Sequence, residues 1–459
     1  MEVKPGYKQT EVGVIPEEWD VKTLGDVGST YGGLTGKTKA DFGKGPARYI
    51  TFMNVMSNVV IDCGTFEQVQ VSPTESQNRA KKGDLFLNGS SESPEEVAMC
   101  SVLLDEVRDV YLNSFCFGFR FHDGADADGL FLAHYLRSKE GRELMKSLAQ
   151  GSTRYNLSKV ALLKSPLRLP KLSEQTAIAT ALSDVDGLLG GLDRLIAKKR
   201  DLKQAAMQQL LTGQTRLPGF HGEWEVKNFG ELFNFSGGYS ASRDQLSSDG
   251  HCYLHYGDIH GATKTTVDVR ADFQNIPKLD IPLKRVASRS LLEDGDVVFV
   301  DASEDDEGAS RHVVVVNKDK KPFISGLHTI VAKSKTDELA HEYRRYCFQT
   351  AAIRQQFLFY AVGTKVSGIS KTNIAKLKMP VPKVPEQTAI ATVLTEMDGE
   401  LAVLQQRREK TRALKQAMMQ ELLTGRTRLV SSHTNPKRQR GLPAIAAIPA
   451  CCGADGCGS

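Results

Sequence analysis

An internal repeat constrains this chain more than any other feature. The heptapeptide EQTAIAT occupies residues 174–180 and returns at residues 386–392. Continued without a gap, the match runs to Leu217 and Leu429 and keeps about 27 of 44 positions identical. A match of that length exceeds chance, so the two segments share an ancestor or a task.

Weaker matches extend the repeat upstream of each segment. In the same register, GSTRYNLSK at 151–159 aligns with GTKVSGISK at 363–371, and GDL at 83–85 aligns with GDV at 295–297. Further upstream the register slips by several residues, and the matched positions are Tyr49-Ile50 with Tyr253-Leu254, Gly32-Gly33 with Gly237-Gly238, and Trp19 with Trp224. The chain is therefore a tandem duplication of a divergent block followed by a closely matched segment. This pattern suggests two different tasks for the blocks and one common task for the segments.

Both matched segments are predicted to form long helices with a narrow apolar seam. The seam steps by four and three residues, as in a coiled coil: Ile178, Leu182, Val185, Leu189 and Leu192, then Ile390, Leu394, Met397, Leu401 and Leu404. Gly213 and Gly425 suit the ends of these helices. About 40 helical residues span about 60 Å. We expect the two copies to pair antiparallel; the alternative is that each helix packs on its own block.

The first helix contains one weak point, at Gly190-Gly191. Each glycine inside a helix costs roughly 1 kcal/mol relative to alanine. A close helix crossing at this position would explain the pair.

Length and composition limit the class of protein. A chain of 459 residues is long enough for two or three domains. It contains no apolar run near the roughly 20 residues that span a bilayer, and its start resembles no secretion signal. The first five of eight cysteines form no C-x-x-C pair, so we expect reduced thiols in a cytoplasm. The net charge of +4 is compatible with nucleic-acid binding but does not argue for it.

The order of these motifs resembles the specificity subunits of type I restriction–modification systems. The resemblance rests on GYKQTEVGVIPEEWDVKTLGDV at the start, then Tyr-Ile, Gly-Asp-Leu-Phe and Gly-Ser-Thr, then LP…EQTAIA leading into a helix that ends in LLTG. It covers both halves, from about Gly6 to Leu429. In that family two target-recognition domains each read half of a bipartite DNA site, and two antiparallel helices set the spacing between the halves.

The resemblance implies an α+β architecture in a tandem pseudo-two-fold repeat. Its expected parts are recognition domains at 1–170 and 217–382 and spacer helices at 171–216 and 383–429. The remaining segment, 430–459, lies outside the repeat and is rich in Gly, Pro, Ala and charged residues, so we expect a disordered tail. The expected strands include ARYITF, GDLFLN, HCYLHY and GDVVFV. Because the two blocks diverged, we predict a site that is not palindromic. Such a subunit has no catalytic residues and needs no cofactor; its partners are double-stranded DNA, two methyltransferase subunits and restriction–translocase subunits.

Candidate DNA contacts are lysines, arginines and polar residues in matched or glycine-rich stretches. In the first block they are Lys37, Lys39, Lys44, Arg48, Asn88, Ser90, Arg154, Tyr155 and Asn156; in the second they are Tyr239, Ser240, Arg243, Arg311 and Lys365. Taken singly, each is better explained as a solvated surface group, and its position within a matched loop is what makes it a candidate. Gln175 and Gln387, just inside the helix starts, are candidates for seating partner subunits, although ordinary first-turn polarity explains them equally well.

Several other motifs do not support catalysis or metal binding. GGLTGKT is one residue short of a phosphate-binding loop and follows no buried strand. The carboxylates of DASEDDEG have no nearby E-x-K or D-x-K partner, which argues against a nuclease site. We expect the acidic run 304–307 to lie in solvent; the alternative is that one of its carboxylates accepts a hydrogen bond from cytosine N4. His251, His255 and His260 are too loosely spaced for a metal site, and metal binding by Cys451, Cys452 and Cys457 in the tail is not expected.

Two further classes of function stay open from the sequence. One is a free-standing DNA-binding or scaffold protein that dimerises through its long helices. The other is a fused nuclease or methyltransferase, against which the motif content argues because no cofactor loop or Asn/Asp-Pro-Pro-Tyr motif occurs.

Overall fold

The structure, a computed structural model, describes residues 3–260, 264–303, 311–362 and 367–429. It divides into two compact units. Unit 1 comprises the chain up to Leu189 together with the part from Lys410 onward, and unit 2 comprises Gly190–Glu409. The predicted disordered tail, the acidic run 304–307 and Lys365 lie outside the described residues.

The first half of the chain contains fourteen strands and six helices among its described residues. The strands are β1 Tyr7–Thr10, β2 Gly13–Pro16, β3 Asp20–Thr23, β4 Gly28–Gly32, β5 Phe42–Ile50, β6 Glu67–Val69, β7 Leu85–Asn88, β8 Ser90–Ser91, β9 Cys100–Val102, β10 Val110–Leu112, β11 Cys116–Phe121, β12 Ala149–Gln150, β13 Tyr155–Leu157 and β14 Pro166–Leu169. The helices are α1 Leu24–Val27, α2 Phe52–Ser57, α3 Gly129–Arg137, α4 Lys139–Leu148, α5 Lys159–Leu163 and α6 Leu172–Leu210.

From the counterpart of β3 onward, the second half repeats most of this order of elements. Its strands are β15 Glu225–Asn228, β16 Phe233–Gly237, β17 Leu246–Ser247, β18 His251–Leu254, β19 Thr266–Asp268, β20 Lys278–Leu279, β21 Val297–Val300, β22 Ala302–Ser303, β23 His312–Val316, β24 Phe323–Ser325, β25 Thr329–Ser334, β26 Ser367–Gly368 and β27 Lys378–Val381. Its helices are α7 Phe229–Leu232, α8 Tyr256–His260, α9 His341–Cys347, α10 Ala351–Tyr360, α11 Lys371–Ile374 and α12 Val384–Leu422.

The two units share a sheet arrangement. In unit 1 the main sheet has the order β4-β11-β7-β9, and a smaller sheet has the order β10-β5-β6 with β10 and β5 parallel. In unit 2 the corresponding sheets are β16-β25-β21-β23-β19 and β17-β20-β18-β24, with β18 and β24 parallel. The matched Tyr49-Ile50 and Tyr253-Leu254 both lie in these parallel pairs. The α+β tandem fold predicted from the sequence is confirmed, and the four expected strand segments become β5, β7, β18 and β21, with the ends of ARYITF and HCYLHY in helices α2 and α8.

Strand β7 shows why these short apolar runs form central strands. Successive side chains of a strand point to opposite faces. Leu85 and Leu87 enter the core built on α3 and the start of α6, whereas Phe86 enters a second core with Ile50 and Leu112. In unit 2, Val297 and Phe299 likewise face one core while Val298 and Val300 face another. Because both faces of such a strand are buried, neither face needs polar residues. This explains why the apolar residues follow one another without interruption.

The two long helices contain 39 residues each and run antiparallel where they meet inside each unit. In unit 2, Lys199 contacts Glu400 and Lys203 contacts Asp398, both at 2.5 Å, so residue numbers rise on α6 as they fall on α12. In unit 1, Lys415 lies 2.6 Å from Asp186. In the repeat, Lys415 corresponds to Lys203 and Asp186 corresponds to Asp398. The same ion pair therefore occurs in both units, with the lysine on α6 in unit 2 and on α12 in unit 1. Each pair is exposed enough to contribute only about 1 kcal/mol or less, so the pairs fix register more than stability.

Near the start of each long helix, a buried glutamate binds one tryptophan and one arginine, and we call this arrangement a carboxylate clasp. In the first clasp, Glu174 accepts a hydrogen bond from Trp19 Nε1 at 3.1 Å and two from the Arg428 guanidinium at 2.7 and 2.8 Å. In the second clasp, Glu386 accepts from Trp224 Nε1 at 3.0 Å and from Arg216 at 2.5 and 2.6 Å. The carboxylates are buried. The chain's two tryptophans thus have equivalent partners, as the repeat predicts.

The seam residues divide between helix pairing and the domain cores. Ile178 and Leu182 are buried in the unit 1 core beside Leu422, the last residue of α12, and the following Leu423. Ile390 and Leu394 are buried in the unit 2 core beside Leu210, the last residue of α6, and the following Leu211. Leu192 and Leu401 are also buried, whereas Val185, Leu189, Met397 and Leu404 are half-buried. Each helix therefore packs on its own block as well as on the other helix, so the two arrangements weighed from the sequence occur together.

The glycine pair in α6 does not mark a close crossing. A Cβ added to Gly191 would meet no atom within 4 Å, and one added to Gly190 would meet only the Arg194 side chain, at 3.6 Å. The expected explanation is therefore wrong. Gly213 and Gly425 do fulfil their expected role, because both follow a helix end with φ of +72° and +74°. The proposed domain boundaries remain a prediction, since each compact unit takes part of both long helices.

Candidate nucleic-acid interface

Each unit brings a pair of glycines against the loop that joins two strands. A Cβ built on Gly33 would lie 2.0 Å from the carbonyl oxygen of Asn113, and one on Gly238 would lie 1.8 Å from that of Gly326. Only glycine allows so close a backbone approach. The matched Gly-Gly pairs therefore have a steric cause, and they mark equivalent places in the two units.

A lysine is associated with each glycine pair, directly in unit 2 and through a phenylalanine ring in unit 1. Lys371 Nζ is 3.2 Å from the Cβ position of Gly237. Lys159 Nζ lies 5.1 Å from the ring centroid of Phe117, and Phe117 pairs with Gly32 across β4 and β11. We call each combination of a glycine pair and its lysine a glycine–lysine corner. Open backbone beside an ammonium group is a suitable contact for a phosphate.

A pair of very short strands borders each corner. In unit 1, β8 and β13 place Ser90 opposite Asn156, and the Arg154 guanidinium donates to Ser90 Oγ at 3.1 and 3.2 Å. Arg154 and Asn156 are exposed and Tyr155 is half-buried. In unit 2, β22 pairs with β26 in the same way. The structure therefore brings the sequence-predicted Ser90 to the consecutive predicted residues Arg154, Tyr155 and Asn156, which lie more than 60 positions further along the chain.

The corner of unit 2 opens into a basic cleft of about 420 Å³. Tyr239 and Ser240, both predicted from the sequence, line it together with Arg285, Arg289 and Lys371. The arginine side chains belong to exposed residues, and the Arg289 carbonyl is held by Ser236 Oγ at 2.7 Å. Guanidinium forks beside an aromatic and a hydroxyl group are the groups that read base edges and phosphates.

Other predicted contacts of unit 1 have different surroundings. Lys37 pairs with Glu75 at 2.5 Å and its side chain is only 6% exposed. The Lys37 ammonium holds the pKa of Glu75 down at about 2. Lys39 and Lys44 are exposed, and the Arg48 guanidinium lies 5.6 Å from the ring centroid of Phe66.

Asn88 does not face the surface. It is fully buried, donates to the carbonyl oxygens of Ser90 and Glu96 at 3.1 and 2.9 Å, and accepts from Met99 N at 2.6 Å. Because the side chain is buried and its hydrogen bonds hold the turn after β7, a direct DNA contact by Asn88 is not supported.

The remaining predicted residues of unit 2 lie outside the cleft lining. Arg243 is exposed, and its guanidinium lies beside Gly257. The Arg311 carbonyl accepts a hydrogen bond from Val300 N at 3.0 Å. Lys365 lies outside the described residues.

The two glutamines predicted to seat partners are buried completely. Gln175 Nε2 donates to the carbonyl oxygens of Asp126 and Pro170, and its Oε1 accepts from Asp128 N at 2.8 Å. Gln387 makes the same contacts in unit 2. Both side chains tie the helix start to its own domain, so neither offers an atom to a partner.

Sequence reasoning missed four residues of these sites: Lys159, Lys371, Arg285 and Arg289. The two lysines were detectable, because SK closes the matched stretches GSTRYNLSK and GTKVSGISK. The arginines have no such signal, since the segment around Arg285 and Arg289 belongs to the diverged part of the block.

The described part of the chain contains no group of three or more His, Cys, Asp or Glu side chains placed to hold a metal ion. Among its helices, none has the length and apolar character needed to cross a membrane.

The family model for the type I restriction modification DNA specificity domain matches the chain twice, at residues 16–196 and 221–411. The two matches cover most of the chain and coincide with the two copies of the repeat. This protein therefore belongs to the family of type I restriction–modification DNA specificity proteins.

Two proteins from Methanocaldococcus jannaschii are similar to this chain in sequence. A protein provisionally named the type I restriction enzyme MjaX specificity subunit is 24% identical over 92% of this chain and 97% of its own length. The type I restriction enzyme MjaVIII specificity subunit is 24% identical over 66% of this chain and 71% of its own length.

Solved structures show the same fold. The S subunit of a type I restriction–modification system from M. genitalium superposes with a TM-score of 0.52 at 14% identity, covering 92% of this chain and 98% of its own. A chain from a study of complex assembly in a type I restriction–modification system gives a TM-score of 0.54 at 16% identity, covering 90% and 99%.

Proposed function

We propose that this chain is the DNA specificity subunit of a type I restriction–modification complex and reads an asymmetric, bipartite DNA site. One observation carries the proposal: the two units share the glycine–lysine corner but border it differently. Ser90 and Arg154 border it in unit 1, and Tyr239, Arg285 and Arg289 border it in unit 2. A shared scaffold suits the sequence-independent backbone, whereas different borders suit two different base sequences.

The long helices supply the proposed docking face for methyltransferase subunits. Three exposed residues of α6, Lys198, Leu202 and Ala205, follow a spacing of four and three, so they lie on one side of the helix. The same letters recur, also exposed, at 410, 414 and 417 of α12. Leu202 and Leu414 are 49% and 56% exposed. Retention of exposed leucines through a duplication that changed many neighbours supports two equal docking faces, hence two methyltransferase subunits.

In this proposal the chain recognises DNA and performs no chemistry itself. The methyltransferase subunits supply methyl transfer, and restriction–translocase subunits supply cleavage. The complex works where the DNA is held, in the cytoplasm.

A genome-wide map of modified bases tests the function. It compares strains with this gene intact and deleted, with the partner methyltransferase expressed in both. The expected result is an asymmetric, bipartite methylated motif that disappears on deletion. An unchanged map, with the methyltransferase bound to the chain, would contradict the proposal and favour a free-standing DNA-binding or scaffold protein.

A further inference from the structure

The turn between β10 and β11 exposes an aromatic ring. Phe115 is 60% exposed, and it is one of two exposed phenylalanines in the described residues, the other being Phe359. Scattered exposed apolar side chains are ordinary in soluble proteins. Phe115 differs from such scattered side chains because hydrogen bonds hold both its backbone N–H and its backbone carbonyl.

The support of this turn is a buried asparagine. Asn113 Oδ1 accepts from Phe115 N at 2.9 Å, and Asn113 Nδ2 donates to the carbonyl oxygen of Ile50 at 3.1 Å. The Phe115 carbonyl in turn accepts from Gly89 N at 2.9 Å. A ring on so well bonded a turn loses little further freedom when it meets a partner, which lowers the entropic cost of binding.

The position of Phe115 connects the two parts of the unit 1 site. On one side, Asn113 is the residue whose carbonyl oxygen lies against Gly33. On the other side, Gly89 precedes Ser90, to which Arg154 donates. Phe115 thus stands between the glycine–lysine corner and the Ser90–Arg154 border.

We propose that Phe115 inserts its ring at a base step of the half-site read by unit 1, as a wedge that partly unstacks two base pairs. Apolar wedges flanked by basic residues are a general means of kinking a duplex. Arg154 and Lys159 would hold the phosphates on either side while the ring enters the stack. The inference rests on the proposed function and adds to it a residue that acts through DNA deformation.

Unit 2 has a histidine at the position equivalent to Phe115. Phe115 is the last of three residues between β10 and β11, and His328 is the last of three residues between β24 and β25. The His328 Nδ1 lies 3.4 Å from Asp301 Oδ1, and its ring centroid lies 5.6 Å from that of Tyr256. A polar ring engaged by two side chains suits a base stack less well than an exposed phenyl ring. We therefore assign the wedge to the first half-site, where the deformability of the base step contributes to recognition.

The test uses the chain assembled with its methyltransferase and a duplex that carries the methylated motif. 2-Aminopurine, whose fluorescence rises on unstacking, is placed at each step of the first half-site in turn. The wild-type complex is expected to raise fluorescence at one step. Phe115→Ala should abolish that rise and weaken specific binding about 10- to 100-fold, with Phe115→Leu in between. The slope of log affinity against log salt should stay unchanged, because no phosphate contact is lost.

Phe359→Ala is the matched control, since it removes the other exposed phenyl ring and should alter neither signal. Unchanged fluorescence and affinity in Phe115→Ala would overturn the proposal. So would loss of methyltransferase binding with DNA signals intact, because the ring would then serve a protein contact. Failure of the wild-type complex to bind the motif would instead contradict the proposed function.

Discussion

At the scale of single residues, the clasp glutamates should matter most for stability. Glu174→Gln removes the buried charged partner of the Arg428 guanidinium and leaves it only Glu18 at the surface, and Glu386→Gln removes the buried partner of Arg216. Each change should lower the free energy of unfolding by about 2–3 kcal/mol. Thermal unfolding measures the loss. Glu18→Gln is the control, because Glu18 meets the same arginine at the surface and should cost no more than about 1 kcal/mol. Equal effects of all three changes would contradict the clasp.

A second residue-scale prediction concerns pH. Burial lowers the pKa of His134 to about 4, and its Nδ1 has no hydrogen-bond partner. The unfolded chain binds this proton at its ordinary pKa near 6.5, so between pH 6.5 and pH 4 the unfolded state holds more protons. Stability therefore falls as pH drops through that window, by at most roughly 3 kcal/mol from this group.

Tyr346 occupies the equivalent position in unit 2, where its hydroxyl contacts Thr395 and Asp398. His134→Tyr should therefore fold and lose this part of the acid sensitivity. The measurement is the unfolding free energy of both proteins at pH 6.5 and 4.5, compared by difference because carboxylates also titrate there. An identical pH dependence in the two proteins would contradict the assignment.

At the scale of elements, the docking face predicts a change in subunit stoichiometry. Leu202→Glu and Leu414→Glu each place a charge in one proposed face, so each should remove one methyltransferase subunit, and the double variant should remove both. Mass measurement of the assembled complex counts the subunits. Leu188→Glu is the control: Leu188 is an exposed leucine of the same helix, and its repeat counterpart is Glu400. Full occupancy in the double variant would place docking elsewhere.

The elements also show what the sequence could and could not predict. Periodicity and repetition gave the two long helices and the main strands, because local spacing decides them. The role of Gln175 was missed because a polar residue in a first helical turn has the same appearance whether it faces solvent or caps a neighbouring loop. The DNA contact predicted for Asn88 was not supported for the same reason. Their partners, Asp128 and Met99, lie 47 and 11 residues away, and no local pattern encodes those contacts.

At the scale of the whole molecule, duplication followed by divergence separates the two reading tasks. The conserved parts, including the clasps and the glycine–lysine corners, occur in both units with equivalent contacts. The residues that border the glycine–lysine corners differ between the two units. Phe115, Arg285 and Arg289 all belong to these diverged borders. An alignment of the two copies therefore locates the scaffold but is silent on the residues that distinguish the half-sites. The three-dimensional position of each border was needed to find them.

This division predicts that a change in one unit affects only one half of the DNA site. Arg289→Ala should weaken discrimination at the half-site of unit 2 by about 1–3 kcal/mol, since a guanidinium in the basic cleft is lost. The half-site of unit 1 should keep its full discrimination. Competition binding measures this with two duplexes, each scrambled in one half, for the wild type and the variant.

Phe115→Ala supplies the matched comparison, because it should reduce the cost of scrambling the other half. Combining the two substitutions should give the sum of their separate effects, since independent sites add within about 0.5 kcal/mol. Equal loss of discrimination at both halves from Arg289→Ala alone would mean that the units read DNA jointly. The assignment of one half-site to each unit would then be wrong, even though both units share one scaffold.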